Sequence, residues 1–292
     1  MSPRDQLRAA ILLATAMAEH ERQCAERSQR FAERHERLLA SGASEHRDLH
    51  ERMVAVNRGS VGRHLAARRI HLAHAERLRK WRLDQTPGAE PLMSAMAEIV
   101  GAPAALTLVG RNLAQAYASA SDRIAEAAQD LELMLGEGPM TDAVRAGAPV
   151  VAEVTSGSDA LRWPLYLPAL ADLGVREVIA VPVGSRWSCL GALAVFGPGH
   201  AAATVRRLGQ VADALTQSVL LASDGSGGFP YLTFFDVDAG RSTLHQAVGM
   251  LCERLGCGPA DALALLQARA FAAGLAVETV AAGVVRREIT LD

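Results

Sequence analysis

The sequence predicts an α+β multidomain chain with a helical hairpin or coiled coil first, a mixed layer of strands and helices second, and a three-helix bundle last. Three observations carry this. No proline occurs from Arg4 to Arg82, where Ala, Leu, Arg, Glu and Gln dominate. Three apolar runs with β-branched residues, Pro149 to Val154, Val178 to Val183 and Leu190 to Phe196, follow in the middle of the chain. The last fifty residues then hold three successive helical patterns, each with an apolar face.

The 292 residues, 50% of them apolar, suffice for two or three domains. The formal charge of -2 hides a division: residues 1–84 carry 17 Lys+Arg against 11 Asp+Glu, residues 85–240 carry 8 against 16, and residues 241–292 carry 5 against 5. The four cysteines (Cys24, Cys189, Cys252, Cys257) lack zinc-knuckle or redox-motif spacing, so free thiols in a reducing compartment are expected. The apolar run Ala9 to Ala18 has Asp5 in its flank and a charged helical pattern behind it, unlike a signal peptide. No stretch approaches the roughly eighteen apolar residues of a spanning helix. The reading is a soluble, cytoplasmic protein without membrane contact.

Ser41-Gly42-Ala43-Ser44 interrupts the first segment and predicts a hairpin, with Ser44 as N-cap of the second helix. Val54, Val61, Leu65 and Leu72 keep near-heptad spacing there and predict a coiled-coil or dimer seam. Asp84 to Gly88 ends this part, giving boundaries of 1–84 for the hairpin and 89–222 for the middle domain. Within the latter, helices are predicted over Pro91 to Val100, Asp122 to Leu135, Asp142 to Ala146 and Ala203 to Leu221, with a strand over Ala104 to Val109. Val178 to Val183 and Leu190 to Phe196 read as neighbouring strands of a hairpin. Ser223 to Gly228 opens a linker over 223–240, and the apolar patch Phe229 to Phe235 is expected to lie against a neighbouring domain. In the final domain, 241–292, the helical faces are marked by Leu244, Ala247, Val248, Leu251 and Leu255, then by a segment ending at Gly274, then by Val277, Val280, Ala281, Val284, Val285 and Ile289. Three such faces bury only against each other.

Leu244-His245-Gln246-Ala247-Val248-Gly249-Met250-Leu251, Glu253-Arg254-Leu255-Gly256, Asp261-Ala262-Leu263 with Leu266, and Val280-Ala281 resemble the ANTAR domain. That resemblance implies binding of paired RNA hairpins in nascent transcripts and transcription antitermination. Upstream, Leu135-Gly136-Glu137-Gly138-Pro139 before Asp142-Ala143, Arg162-Trp163-Pro164, Gly174-Val175-Arg176 before Ala180-Val181-Pro182-Val183, and Leu190-Gly191 are similar to the GAF domains that precede ANTAR domains in actinobacterial regulators. This implies a GAF-type antiparallel sheet with flanking helices and a small-molecule signal in a pocket on one face; the two resemblances together give a signal-transducing regulator, expected to work as a homodimer.

The candidate RNA-contacting residues are Arg241, Arg254, Arg269, Arg286 and Arg287, because nucleic-acid affinity rests largely on phosphate neutralisation; the plainer reading of each is a solvated helix surface. Arg162, Trp163 and Tyr166, placed in a loop between strands, are the candidate ligand contacts, the alternative being a loop packed on the sheet. Phe271, in an apolar setting, reads as core. Val248, Gln267-Ala268 and Leu275 to Glu278 stand where ANTAR sequences commonly have basic or polar residues. They favour the alternative of a dimerisation or docking module that no longer binds RNA. Seven of nine histidines fall in the hairpin, with His46/His50 and His71/His74 at helical spacing; they read as surface residues rather than metal ligands. Cys189 reads as a core thiol. No nucleophile-and-base constellation or phosphate loop stands out, Ser156, Ser158 and His200 lacking visible partners, so the chain reads as a non-enzyme without a cofactor.

Overall fold

The structure is a computed structural model and describes residues 3–41, 46–80, 91–109, 115–185, 188–197, 201–217 and 239–291. Residues 218–238, with the expected linker and the Phe229 to Phe235 patch, lie outside the described residues, as does His200.

Helices α1 (Pro3–Ala40) and α2 (Arg47–Lys80) form the hairpin. Its seam is not the expected stripe, since Leu65 and Leu72 are exposed. On α1 the buried positions are Ala10, Ala14, Ala18, Glu21 and Ala25, spaced three or four apart, and Ala32 two turns further on. On α2 they are Ala67, Ile70, His71, His74, Ala75 and Leu78. Alanine leaves room for a neighbouring backbone, so a chain of them makes a close seam that a search for large apolar residues overlooks. Polar contacts fix the register of the hairpin: Glu21 to His64 at 2.6 Å, the His35 and His50 Nδ1 atoms at 2.8 Å, and Arg58 to Glu36 at 2.6 Å. The histidines are therefore not all surface choices: His71 and His74 are buried.

Helix α3 (Pro91–Val100) leads into the sheet, whose strands are β1 (Ala104–Val109), β2 (Gln115–Ala120), β3 (Val150–Glu153), β4 (Glu177–Ser185) and β5 (Ser188–Phe196). All pairings are antiparallel, in the order β2-β1-β5-β4-β3. Strand β2 was not foreseen; Gln-Ala-Tyr-Ala-Ser-Ala holds no β-branched residue, and its pairing with β1 makes it a strand. Gly191 of β5 lies so close to β1 that a Cβ there would meet the Thr107 carbonyl oxygen.

Alternation divides the sheet into two unlike faces. Leu106, Ile179, Val181, Leu193 and Val195 face a core shared with α3, with the Ile70 end of α2, and with α8 (Ala201–Leu215). On the other face Ala105, Ala180, Ala192 and Ala194 are small, and the space above them is filled by Met140, Trp163, Tyr166, Leu167 and Leu170. These belong to α5 (Pro139–Ala146), to α7 (Tyr166–Asp172), and to the link between α7 and α6 (Gly157–Arg162), alongside α4 (Arg123–Leu135). The segment from Gly157 to Asp172 is thus two short helices rather than a loop.

Helices α9 (Ala239–Leu255), α10 (Pro259–Ala273) and α11 (Val277–Val285) close around Leu244, Ala247, Leu251, Ala262, Leu266, Ala270, Val277, Val280 and Val284. Phe271 is outside this core, 57% exposed on α10. Among the described residues no single helix is long and apolar enough to cross a membrane; α10 and α11 are apolar but meet at 113° around a common core.

Burial pushes His71 and His74 down from 6.5 to about 4; Glu21 opposes the shift at His71 and His20 adds to it, while His71 adds to it at His74 and the Pro91 carbonyl opposes it. The folded pKa lies below the unfolded one, so the unfolded chain binds the extra protons. The stabilisation is complete above about pH 6.5 and is lost as the pH falls toward 4, on the order of 3 kcal/mol per histidine. Urea unfolding of His71→Leu across that range is expected to lose roughly half of the wild-type slope attributable to the pair; an unchanged slope contradicts the assignment.

Candidate nucleic-acid interface and its junction with the sheet domain

The C-terminal bundle is built by its turns. Gly256, at φ 65°, ends α9 by donating its N–H to the Cys252 carbonyl at 2.9 Å. Pro259 opens α10 behind Gly258, its fixed φ suiting the first helical position, and Asp261 accepts the Gly258 N–H at 3.3 Å. After α11 the chain folds back, with the Glu288 and Ile289 N–H groups donating to the Gly283 carbonyl at 2.8 and 3.1 Å. Ile289 then covers Gly283, where a Cβ would stand 2.5 Å from the Ile289 side chain.

The candidate arginines sit on three elements. Arg241 lies in the first turn of α9, and its side chain is outside the described part. Arg254 is exposed in the last turn of α9 and Arg269 is exposed on α10. Arg286 caps α11 and pairs with Glu288 at 3.0 Å. Arg287 follows in the left-handed region at φ 60° and is exposed. Phe271 lies two residues beyond Arg269, adding an exposed ring that the sequence reading had assigned to the core.

The three departures from basic character have structural roles. Val248 is half-buried against the bundle core, and Glu278 is half-buried in the first turn of α11. Gln267 reaches out of the bundle and donates from Nε2 to the Leu133 carbonyl of α4 at 2.5 Å. Leu133 and Met134 pack against the same core.

One residue earlier on α4, Glu132 points the other way and is buried. It accepts the N–H groups of Met140, at 3.3 Å, and Thr141, satisfying the first turn of α5. Burial pushes its carboxyl up from 4.5 to about 7, against the opposing pull of the Thr141 and Met140 donors. Gly138 passes so close that a Cβ would stand 2.4 Å from Glu132 Cδ.

The three candidate ligand residues gather beside this carboxylate. Trp163 Nε1 donates to Asp142 Oδ2 at 3.2 Å, and Arg162 pairs with the same oxygen at 3.0 Å while its guanidinium lies 4.5 Å over the Trp163 ring. Glu137 accepts the Leu165 and Tyr166 N–H groups at 2.8 and 3.1 Å. Trp163 and Tyr166 are 1% and 0% exposed, so solvent reaches this cluster through Arg162. The Tyr166 hydroxyl is buried without a hydrogen-bond partner among the described residues, and burial, then Glu132, holds its pKa well above the usual value. Gly136-Glu137-Gly138 forms the turn between α4 and α5, and the sequence alone does not single out Glu132, Glu137 and Asp142 as the carboxylates that anchor this region. The run of carboxylates around a Gly-rich turn and Pro139 was the available signal.

Elsewhere, an open groove between α2, α3 and α8 is lined by Gly62, Leu65, Arg69, Ile99, Arg207 and Val211, on the opposite side of the sheet from Trp163. Cys189 is half-buried against the Trp163 side of the sheet, its thiol 3.3 Å from the Gly191 carbonyl. Among the described residues no three His, Cys, Asp or Glu side chains form a metal-sized cluster.

The family model for the ANTAR domain matches residues 238–285. This is the stretch of α9, α10 and α11, so the C-terminal bundle is an ANTAR domain; ANTAR domains are regulatory domains that bind RNA hairpins. No curated protein matches the chain.

The approach of Gly138 to Glu132 makes a sharp test of this junction. Gly138→Ala is expected to destabilise the chain by about 2 kcal/mol or more in urea unfolding, because neither a buried carboxylate nor backbone gives way cheaply. Gly209→Ala, on α8 with open space around it, is expected to be neutral or to stabilise by about 0.5–1 kcal/mol.

Proposed function

We propose that the chain is a signal-responsive regulator in which the ANTAR domain binds RNA hairpins and acts in transcription antitermination, under control of the central domain acting as a GAF-type sensor. The match at residues 238–285 to a complete three-helix bundle with its own core carries this reading. Arg241, Arg254, Arg269, Arg286 and Arg287 are the phosphate contacts in this account. Arg162, Trp163 and Tyr166 form the signal-responsive cluster for a small molecule, and the protein works as a cytoplasmic homodimer, which suits recognition of paired hairpins.

The physical basis for control is α4. A change at Glu132, whose charge also acts on the Tyr166 hydroxyl, has one residue to travel before it reaches Leu133, whose carbonyl holds Gln267. A signal that prefers one setting of α4 shifts the population of docked and undocked ANTAR domains by its differential affinity for the two.

A second reading, a docking module without RNA, draws on one observation. Ala264, Ala268 and Phe271 lie exposed along α10 at spacings of four and three, with Leu275 exposed just past its left-handed end at Gly274, an apolar surface in a stretch of 52 residues that carries no net charge.

The deciding experiment titrates full-length protein with a two-hairpin RNA and a scrambled control over a salt series. RNA binding through arginines predicts affinity that falls steeply with salt, and a slope reduced by about 1 for each phosphate contact removed, tested with Arg254→Ala and Arg269→Ala. Equal, weak binding of both RNAs at low salt would select the docking module.

A further inference from the structure

Cys252 and Cys257 are five residues apart, a spacing without meaning in a straight helix. The left-handed Gly256 reverses the chain between them, with its N–H on the Cys252 carbonyl. The Cys257 thiol folds back over the last turn of α9, 3.9 Å from the Leu251 carbonyl, where a left-handed helix end brings the residue after the glycine against the side chains one turn earlier, Cys252 among them. Both thiols are free, half-buried and packed at the edge of the bundle core, so a small oxidant reaches them. Arg254, a candidate RNA contact, lies inside the loop they bracket.

We propose that Cys252 and Cys257 are a redox-sensitive pair, joined by a peroxide-class oxidant into an intramolecular disulfide that closes the turn between α9 and α10. In the first step one thiol, Cys257, attacks a peroxide oxygen, giving a sulfenic acid and the reduced alcohol or water. In the second, the Cys252 sulfur attacks the sulfenic sulfur, its proton leaves with the hydroxyl as water, and the S–S bond forms. Two thiols are oxidised by two electrons and one peroxide is reduced. Burial, reinforced by Cys257, pushes the Cys252 thiol up, which suits the resolving role better than the attacking one.

The bond draws the sulfurs together to about 2.05 Å. Leu255 and Gly256 absorb that contraction, and the turn that presents Arg254 changes shape. On the RNA-binding reading, which this consequence rests on, oxidation weakens hairpin binding several-fold.

The test uses the full chain treated with hydrogen peroxide, alkylated, and cut with trypsin. Cleavage after Arg254 separates Cys252, in residues 242–254, from Cys257, in residues 255–269. The expected product is these two peptides linked, from protein of monomer mobility on a non-reducing gel, and released by dithiothreitol. Separate sulfinic acids, a link between two copies, or alkylation of both thiols while Cys24 or Cys189 oxidises would overturn the pair. RNA affinity should fall on oxidation, recover on reduction, and stay constant in Cys257→Ser. A linked pair with unchanged RNA affinity would overturn the coupling. A linked pair in a protein that binds no RNA in either state would leave the disulfide standing and remove the RNA-binding reading instead.

Discussion

A buried carboxylate is tolerated in a protein only where fixed donors replace its water. Glu132 meets that condition with two N–H groups from the start of α5, and the requirement shapes everything near it. Gly138 must lack a side chain, Pro139 must start a helix there, and the turn between α4 and α5 must be short. The same turn of α4 exposes the Leu133 carbonyl and the Leu133 and Met134 side chains to the ANTAR domain. One helical turn therefore belongs to two cores at once.

The small residues of the chain decide how close its parts come. Ala105, Ala180, Ala192 and Ala194 leave depth over one sheet face for Trp163 and Tyr166, and the alanines of α1 draw α2 close enough to bury His71 and His74. The resulting pH responses oppose each other. The histidines withdraw stability as the pH falls from 6.5 toward 4. Glu132, whose folded pKa is raised, holds its proton longer in the folded chain and withdraws stability as the pH rises from 4.5 through about 7.

Strong periodicity was legible in the sequence. The strands from Ala104, Val178 and Leu190, the helices from Pro91 and Asp122, and the three C-terminal helices were all written in their apolar spacing and their turn residues. What was not legible depended on partners distant in sequence. The residues of β2 carry no strand preference of their own, and pairing with β1 makes them a strand. Leu65 and Leu72 have the chemistry of a seam, yet inside the hairpin alanine packing makes the contact and leaves these two exposed. Phe271 looked apolar in context, yet α10 turns it outward because Leu266 and Ala270 already define the inward face. At the candidate site the residue types around Trp163 were visible, whereas the anchoring by Asp142, Glu137 and Glu132 requires the fold. Nothing near Gln267 in the sequence points to Leu133, 134 residues away.

The central claim is that the ANTAR domain is held to the sheet domain through the last turn of α4. Hydrogen exchange of the full-length chain, compared with Gln267→Ala, tests it most directly. The account predicts faster exchange in residues 131–136 and in α10, with β4 and β5 unchanged. Equal exchange in α4 for the two proteins would contradict it.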